Sequence, residues 1–295
     1  MKVGSRCGYC LVHRGYRMIQ LSTQDEDTRL EAMEALMRLM GSKFNKDTVP
    51  SVLGHERGVL IASITQCLDP YQHQKRVSNE KALHVLGEVE RLLEEAPEEE
   101  RLRLAVKASC LGNVLDFDLP DSDPNLENAL SQLSNPLYID HTDKFKELIE
   151  TGKRLLYLTD NAGEIAFDTL LVKELRRLGA HVTVAVKDGP PSLNDALMED
   201  ALAVGMDKAA DEVTTTGVSA IGVRLDLAPQ WFIDLYEGSD LIVAKGMANW
   251  ETMTETPAPS PTLYVLRTKC EPVARAVGAP VGESVALLVP RGWKL

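Results

Sequence analysis

Arg154-Leu-Leu-Tyr-Leu-Thr-Asp-Asn-Ala-Gly-Glu-Ile-Ala-Phe-Asp168 runs from an apolar strand through an acidic turn into the first turn of a helix. In an open α/β sheet such a turn lies at the carboxyl edge of the strands, where ligands bind. The carboxylate of Asp160 beside the carboxamide of Asn161 offers hard oxygen donors suited to Mg²⁺ or Mn²⁺, and the helix N-terminus offers N–H groups to an anion. A plain reading stands beside this one. Asp and Asn are preferred helix caps, and Gly163 eases the turn.

Two further segments repeat the pattern. His181-Val-Thr-Val-Ala-Val-Lys187 reads as a strand, followed by Asp-Gly-Pro-Pro-Ser-Leu-Asn-Asp195 and a helix over 196–203. Asp240-Leu-Ile-Val-Ala244 reads as another, delivering Lys245-Gly-Met-Ala-Asn-Trp-Glu251. If the sheet is parallel, all three polar turns share one edge, and that convergence marks a site. Strand and helix patterns alternate from Arg154 onward, with strands expected at 154–159, 181–187, 211–214, 240–244, 262–267 and 284–289. Before residue 150 the period is helical, as in 28–40, 80–93 and 104–115. The expected fold is α/β: a Rossmann-like, mainly parallel sheet with helices on both faces over 151–295, and an all-helical N-terminal domain over 1–150 that roofs the substrate.

Composition bounds the function. The 295 residues are 44% hydrophobic, enough for a substantial core, and the net charge is −12. No basic face of the kind that neutralises nucleic-acid phosphates is visible, so DNA and RNA are not expected partners. Apolar runs too short to cross a bilayer, and an N-terminal Met1-Lys-Val-Gly-Ser-Arg-Cys7 without an apolar core, lead to the expectation of a cytoplasmic protein with no membrane partner. The five cysteines, at 7, 10, 67, 110 and 270, are an odd, scattered set and not a disulfide framework. Cys7-x-x-Cys10 reads either as a plain thiol pair or as half of a metal or redox site. The six histidines show no ligand spacing.

Asp160-Asn-Ala-Gly-Glu164, Asn194-Asp195 and Lys245-Gly-x-x-Asn-x-Glu251 together resemble the metal-dependent damage-control phosphatases, first catalogued as domain of unknown function 89, most closely their prokaryotic branch. The resemblance extends through Cys7-Gly-Tyr-Cys10, Asp69-Pro-Tyr71 with Lys75 and Asn79, and Gly112-Asn113-x-x-Asp116-Phe117, and so covers nearly the whole chain. It implies hydrolysis of small phosphorylated metabolites, often damaged or side-product sugar phosphates, with a divalent metal cofactor such as Mg²⁺, Mn²⁺, Co²⁺ or Ni²⁺.

The residues then take expected roles. Asp160, Asn161 and Asp195 form the metal set, leaving other coordination positions for water and phosphate. Lys245 is expected to balance phosphate charge, which an acidic protein must do locally, and Asn249 to donate a hydrogen bond to the same group. Glu164 is a further substrate-side candidate. Glu251 is expected to orient a water, hold Lys245 or bind a substrate hydroxyl. Asn113 and Asp116, on one face of an apolar helix, are either substrate-facing or satisfied core polars. Lys75 and Asn79, one helical turn apart, are either site residues or an exposed i,i+4 pair. Activated water is preferred to Asp160 as nucleophile, because Asn161-Ala162 lacks the Asp-x-Asp arrangement of aspartyl-phosphate enzymes. Two other classes are carried: an S-adenosylmethionine-dependent methyltransferase, which lacks its usual Gly-x-Gly turn here, and a noncatalytic metabolite-binding protein.

Overall fold

The computed structural model describes residues 1–112, 132–191 and 193–295. Five long helices open the chain: α1 (Ser5–Ser22), α2 (Glu26–Lys43), α3 (Pro50–Thr65), α4 (Gln72–Glu95) and α5 (Glu98–Leu111). Local chemistry starts them where the sequence allows. Asp25 caps α2 by accepting the Thr28 N–H at 2.9 Å, with Glu26 and Asp27 in the first turn complementing the helix dipole. Pro50 opens α3, where its missing N–H costs nothing.

After these come β1 (Ile139–Asp140), α6 (Thr142–Lys146), β2 (Arg154–Leu158), α7 (Glu164–Arg177), β3 (His181–Val186), α8 (Met198–Ala203), α9 (Met206–Ala209) and β4 (Glu212–Thr215). The chain continues through α10 (Gln230–Gly238), β5 (Leu241–Lys245), α11 (Gly246–Met253), β6 (Thr262–Arg267), α12 (Glu271–Val277) and β7 (Ser284–Val289). The strands form one sheet in the order β1-β7-β6-β5-β2-β3-β4. All neighbours are parallel except β6 and β7. β2 lies between β3 and β5, so the strand order reverses there and opens a crevice at the carboxyl ends of β2 and β5.

Alternation along the strands clothes the sheet on both faces. Leu155, Tyr157, Val184 and Val243 pack with α4, α5 and α7 on one side, and Leu156, Leu158, Ile242 and Ala244 with α10, α11 and α12 on the other. A third cluster joins α1, α2 and α3 to Leu193 and Ile221. Packing is therefore continuous across residue 150, because Ala82, Val89, Ala105 and Val106 share one cluster with Phe167, Leu171 and the sheet. The stretch read as all-helical also contains a strand. β1 pairs with β7 through Ile139 and Asp140 alone, too short a run to show a period. Among the described residues no helix is long and apolar enough to cross a membrane.

The tightest junction between the helical half and the sheet edge is Gly112, at the end of α5. A Cβ there would lie 2.2 Å from Glu164 Cα, which is backbone and cannot swing aside. Gly112→Ala should therefore destabilise the protein by about 2 kcal/mol or more, the usual result of overpacking against an immobile neighbour. A urea denaturation midpoint matching the unmodified chain would show that α5 can slide on α7.

Candidate active site

Backbone pairing brings the two acidic turns together. Ala162 N–H donates to the Asn194 carbonyl at 2.9 Å and Ala196 N–H to the Asp160 carbonyl at 2.8 Å, with Asn161 and Asp195 in a β-bridge between them. Asp160, Asn161 and Asp195 are all buried. The β5 turn closes on the same point. Gly246 has φ +75°, and a Cβ on it would sit 2.0 Å from Asp160 Oδ2, so glycine is required both for backbone conformation and for the carboxylate's position. From the helical side, Asn79 accepts the Gly163 N–H at 2.7 Å and donates to Asp200 Oδ1 at 2.7 Å, while Asp200 Oδ2 accepts the Leu197 N–H at 2.9 Å. Asn79 is thus a buried clip across both turns and not half of an exposed pair.

The Asn161 amide is oriented by its neighbours. Its Nδ2 donates to Asp160 Oδ2 at 2.7 Å and Glu164 Oε2 at 3.1 Å. Only the NH₂ end can sit between two carboxylates, so the amide oxygen faces away from them and keeps its acceptor capacity. Glu164 holds this arrangement from below and is fully buried, so its substrate-side role is corrected to one of positioning. Its other oxygen accepts from Lys245 Nζ at 2.6 Å.

Lys245 departs from the sequence reading. The structure brings it to the site, but its ammonium donates to Ser109 O at 2.8 Å, Glu164 Oε1 at 2.6 Å and Asp168 Oδ1 at 2.8 Å, with the side chain fully buried. All three hydrogens are engaged inside the protein, which leaves none for a phosphate. Burial works to discharge this amine, and the charges of Asp168 and Glu164 outweigh it and hold the pKa well above the usual lysine range. Asp168 is pushed up to about 6 by burial, against the pull of Lys245, and also accepts from Tyr157 Oη at 2.7 Å.

Asn249 is likewise engaged. Its amide donates to the carbonyls of Thr159 at 3.0 Å and Lys245 at 2.8 Å, so the expected hydrogen bond to phosphate has no donor left to make it. Its oxygen accepts from Lys187 Nζ at 3.3 Å, and Lys187 also donates to Gly222 O at 3.0 Å. Sequence reading gave Lys187 no role, yet it faces the acidic turns: burial lowers its pKa, and Asp195 and Asp160 oppose that shift. The available signal was a lysine ending an apolar strand, as Lys245 does. Glu251 is not gathered with the turns. Its carboxylate accepts from Ser51 at the start of α3, and burial raises its pKa. Asn113 and Asp116 lie outside the described residues. The cysteines are free thiols, and burial raises the pKa of Cys7.

The donor set suits a hard divalent cation. Among the described residues no three His, Cys, Asp or Glu side chains form a metal cluster; backbone pairing joins the turns that carry Asp160, Asn161 and Asp195, whose two carboxylates and one amide oxygen are hard donors of the kind such a cation takes. All four carboxylates, Asp160, Asp195, Glu164 and Asp168, are buried here; the charges of Asp160 and Asp195 act on Lys187 and those of Asp168 and Glu164 on Lys245.

A mainly parallel sheet with acidic turns joined at its switch point places this chain among α/β proteins that bind ligands at that edge, and comparison with known proteins gives the family. Residues 3–285 match the damage-control phosphatase ARMT1-like domain, and the chain belongs to that family. It is 36% identical over 293 residues to a damage-control phosphatase of Archaeoglobus fulgidus, covering 98% of this chain and 100% of that one. It is 33% identical over 289 residues to a damage-control phosphatase of Pyrococcus horikoshii, covering 97% and 98%. The crystal structure of a DUF89 family protein from Pyrococcus horikoshii superposes with a TM-score of 0.86 at 31% identity, covering 99% of each chain. Family membership supports a phosphatase role in metabolite repair.

Lys245→Met should be destabilising as well as inactivating, because it leaves two buried carboxylates without a counter-charge. Such a loss costs about 3–5 kcal/mol. A variant with normal thermal stability and impaired turnover would return Lys245 to the substrate. Gly246→Ala, which drives a methyl into the Asp160 carboxylate, should lower phosphatase turnover by about 10²-fold or more, since misplacement of a site group by about 1 Å has that effect; wild-type kinetics would show the turn to be adaptable.

Proposed function

We propose that this chain is a metal-dependent phosphatase acting on small phosphorylated metabolites, such as sugar phosphates, in metabolite damage control. The carrying observation is the joining of two acidic turns, which bring the buried Asp160, Asn161 and Asp195 together by backbone pairing at the switch point of the sheet. Asp160, Asn161 and Asp195 would hold one divalent cation, Mg²⁺, Mn²⁺, Co²⁺ or Ni²⁺, which when bound polarises the phosphoryl group and lowers the pKa of a bound water.

The chain's own residues prepare that chemistry. Glu164 and Asp160 fix the Asn161 amide with its oxygen presented outward. Lys187, held by Gly222 and Asn249, lies close to Asp160 and Asp195, whose charges oppose the lowering of its pKa by burial. Asp160 Oδ2 is bonded by Asn161 and packed against Gly246, which supports water in preference to this carboxylate as the attacking group. Free thiols accord with the reducing cytoplasm as its location.

The test is turnover of an aryl phosphate and of sugar phosphates with each divalent cation and with chelator. Asp160→Asn and Asp195→Asn should each lower metal-dependent turnover by about 10²-fold or more, as loss of a preorganised electrostatic partner does. Removing one of two neighbouring carboxylates should leave the metal-free protein as stable as before, or more so. Full metal-stimulated activity in either variant, or turnover indifferent to chelator, would sink the proposal.

A further inference from the structure

The Asn79 carboxamide of α4 meets both turns that carry the candidate metal ligands. Its oxygen accepts the Gly163 N–H at 2.7 Å and its nitrogen donates to Asp200 Oδ1 at 2.7 Å, while Asp200 Oδ2 accepts the Leu197 N–H at 2.9 Å. Gly163 closes the turn of Asp160 and Asn161, and Leu197 follows the turn of Asp195. With the Ala196 N–H donating to the Asp160 carbonyl, these bonds complete a ring from one turn to the other and back. Lys75, one helical turn earlier on α4, is 1% exposed with Asp69 Oδ2 at 2.6 Å, so the exposed-pair reading of this residue is also corrected.

Neither end of the carboxamide can be exchanged. The Gly163 N–H only donates and the Asp200 carboxylate accepts, so the group between them needs an oxygen at one end and an NH₂ at the other. Asn79 is buried, and a mismatched group in its place would stay unsatisfied. The backbones are close as well: Gly163 has φ +77°, and a Cβ on it would lie 2.9 Å from Ser78 Cβ and 3.2 Å from the Ser78 carbonyl oxygen. α4 therefore sits directly against the first acidic turn. Pairing through Ala162 and Ala196 joins the two turns along one line, about which they can still rotate; the carboxamide gives each a second point of attachment.

We propose that Asn79 is a positioning residue for the cation site: acting through Gly163 and Asp200, it sets the angle between the turns that present Asp160, Asn161 and Asp195. The proposal rests on the metal-dependent reading of the site and adds to it a residue of the helical half that touches neither cation nor substrate. Groups that orient metal ligands from outside the coordination sphere govern affinity and turnover by about 10–100-fold, and misplacement of about 1 Å is enough for such a loss.

The experiment compares Asn79→Ala, Asn79→Asp, Asp200→Asn and the exchange of Asn79→Asp combined with Asp200→Asn against the unaltered chain. The readouts are calorimetric titration of metal-free protein with Mg²⁺ and Mn²⁺, thermal stability, and kinetics on an aryl phosphate at saturating cation. Asn79→Ala should weaken cation binding by about 10–100-fold and lower kcat by a similar factor, with KM changing less. Asn79→Asp sets a carboxylate against the Asp200 carboxylate, and Asp200→Asn an amide against the Asn79 amide, so each should lower kcat as well. In the exchanged pair the carboxylate stands on α4 and the carboxamide on α8. Net charge is then unchanged, every bond has its donor and acceptor again, and cation affinity and kcat should recover most of the loss.

If Asn79 only fastened α4 to the body of the protein, Asn79→Ala would lose thermal stability while the folded variant bound the cation and turned over as the unaltered chain does, and that result would overturn the proposal. If Asn79→Ala does not fold, the exchange decides: a kcat no higher in the doubly changed chain than in either single variant would overturn it as well. Failure of the phosphatase reading looks different. An unaltered chain that binds the cation and hydrolyses no phosphate ester would remove that reading alone, since the same titrations still test Asn79; one that binds no divalent cation would overturn both.

Discussion

Lys245 is buried without solvent between the carboxylates of Glu164 and Asp168 and the Ser109 carbonyl, and through it three elements become one unit. It ends β5, the acids lie on the first turns of α7, and the carbonyl belongs to α5. A bare ammonium in such a place would be prohibitively costly, and so would two bare carboxylates, so each group is tolerable only because the others are there. The arrangement fixes the α5 end against α7, where Gly112 makes the close approach, and sets Glu164 beneath Asn161. Orientation of the candidate ligand is thus inherited from a salt bridge that never meets solvent.

The site above it is built by backbone pairing more than by side chains. The two acidic turns exchange hydrogen bonds, a glycine at positive φ admits the Asp160 carboxylate, and Asn79 reaches from α4 to clip both turns. Holding carboxylates together in a dry place is unfavourable unless the scaffold is rigid, and sharing them among β2, β3 and β5 supplies that rigidity. The same crowding of negative charge makes the region a ready host for a cation.

Much of this was legible beforehand for physical reasons. Strands at 154–158, 181–186 and 241–245 follow from apolar runs ended by polar turns, and alternation with helical periods dictates a parallel sheet. A parallel sheet places every strand-end turn at one edge, so Asp160, Asn161 and Asp195 were candidates from order alone. The two-residue strand at 139–140 was not legible, because it exists only by pairing with β7, far along the chain.

The sequence by itself determined the residue types available at the sheet edge, the family, and the sign of the charge gathered there. Only the tertiary structure decided which polar groups are already satisfied. Lys245 and Lys75 look alike in a string of letters, each a lysine within a motif. One meets three acceptors inside the protein, while the other is buried with Asp69 Oδ2 at 2.6 Å. Hydrogen-bond saturation depends on groups far apart in the chain meeting within about 3 Å, a property of packing that no local pattern encodes.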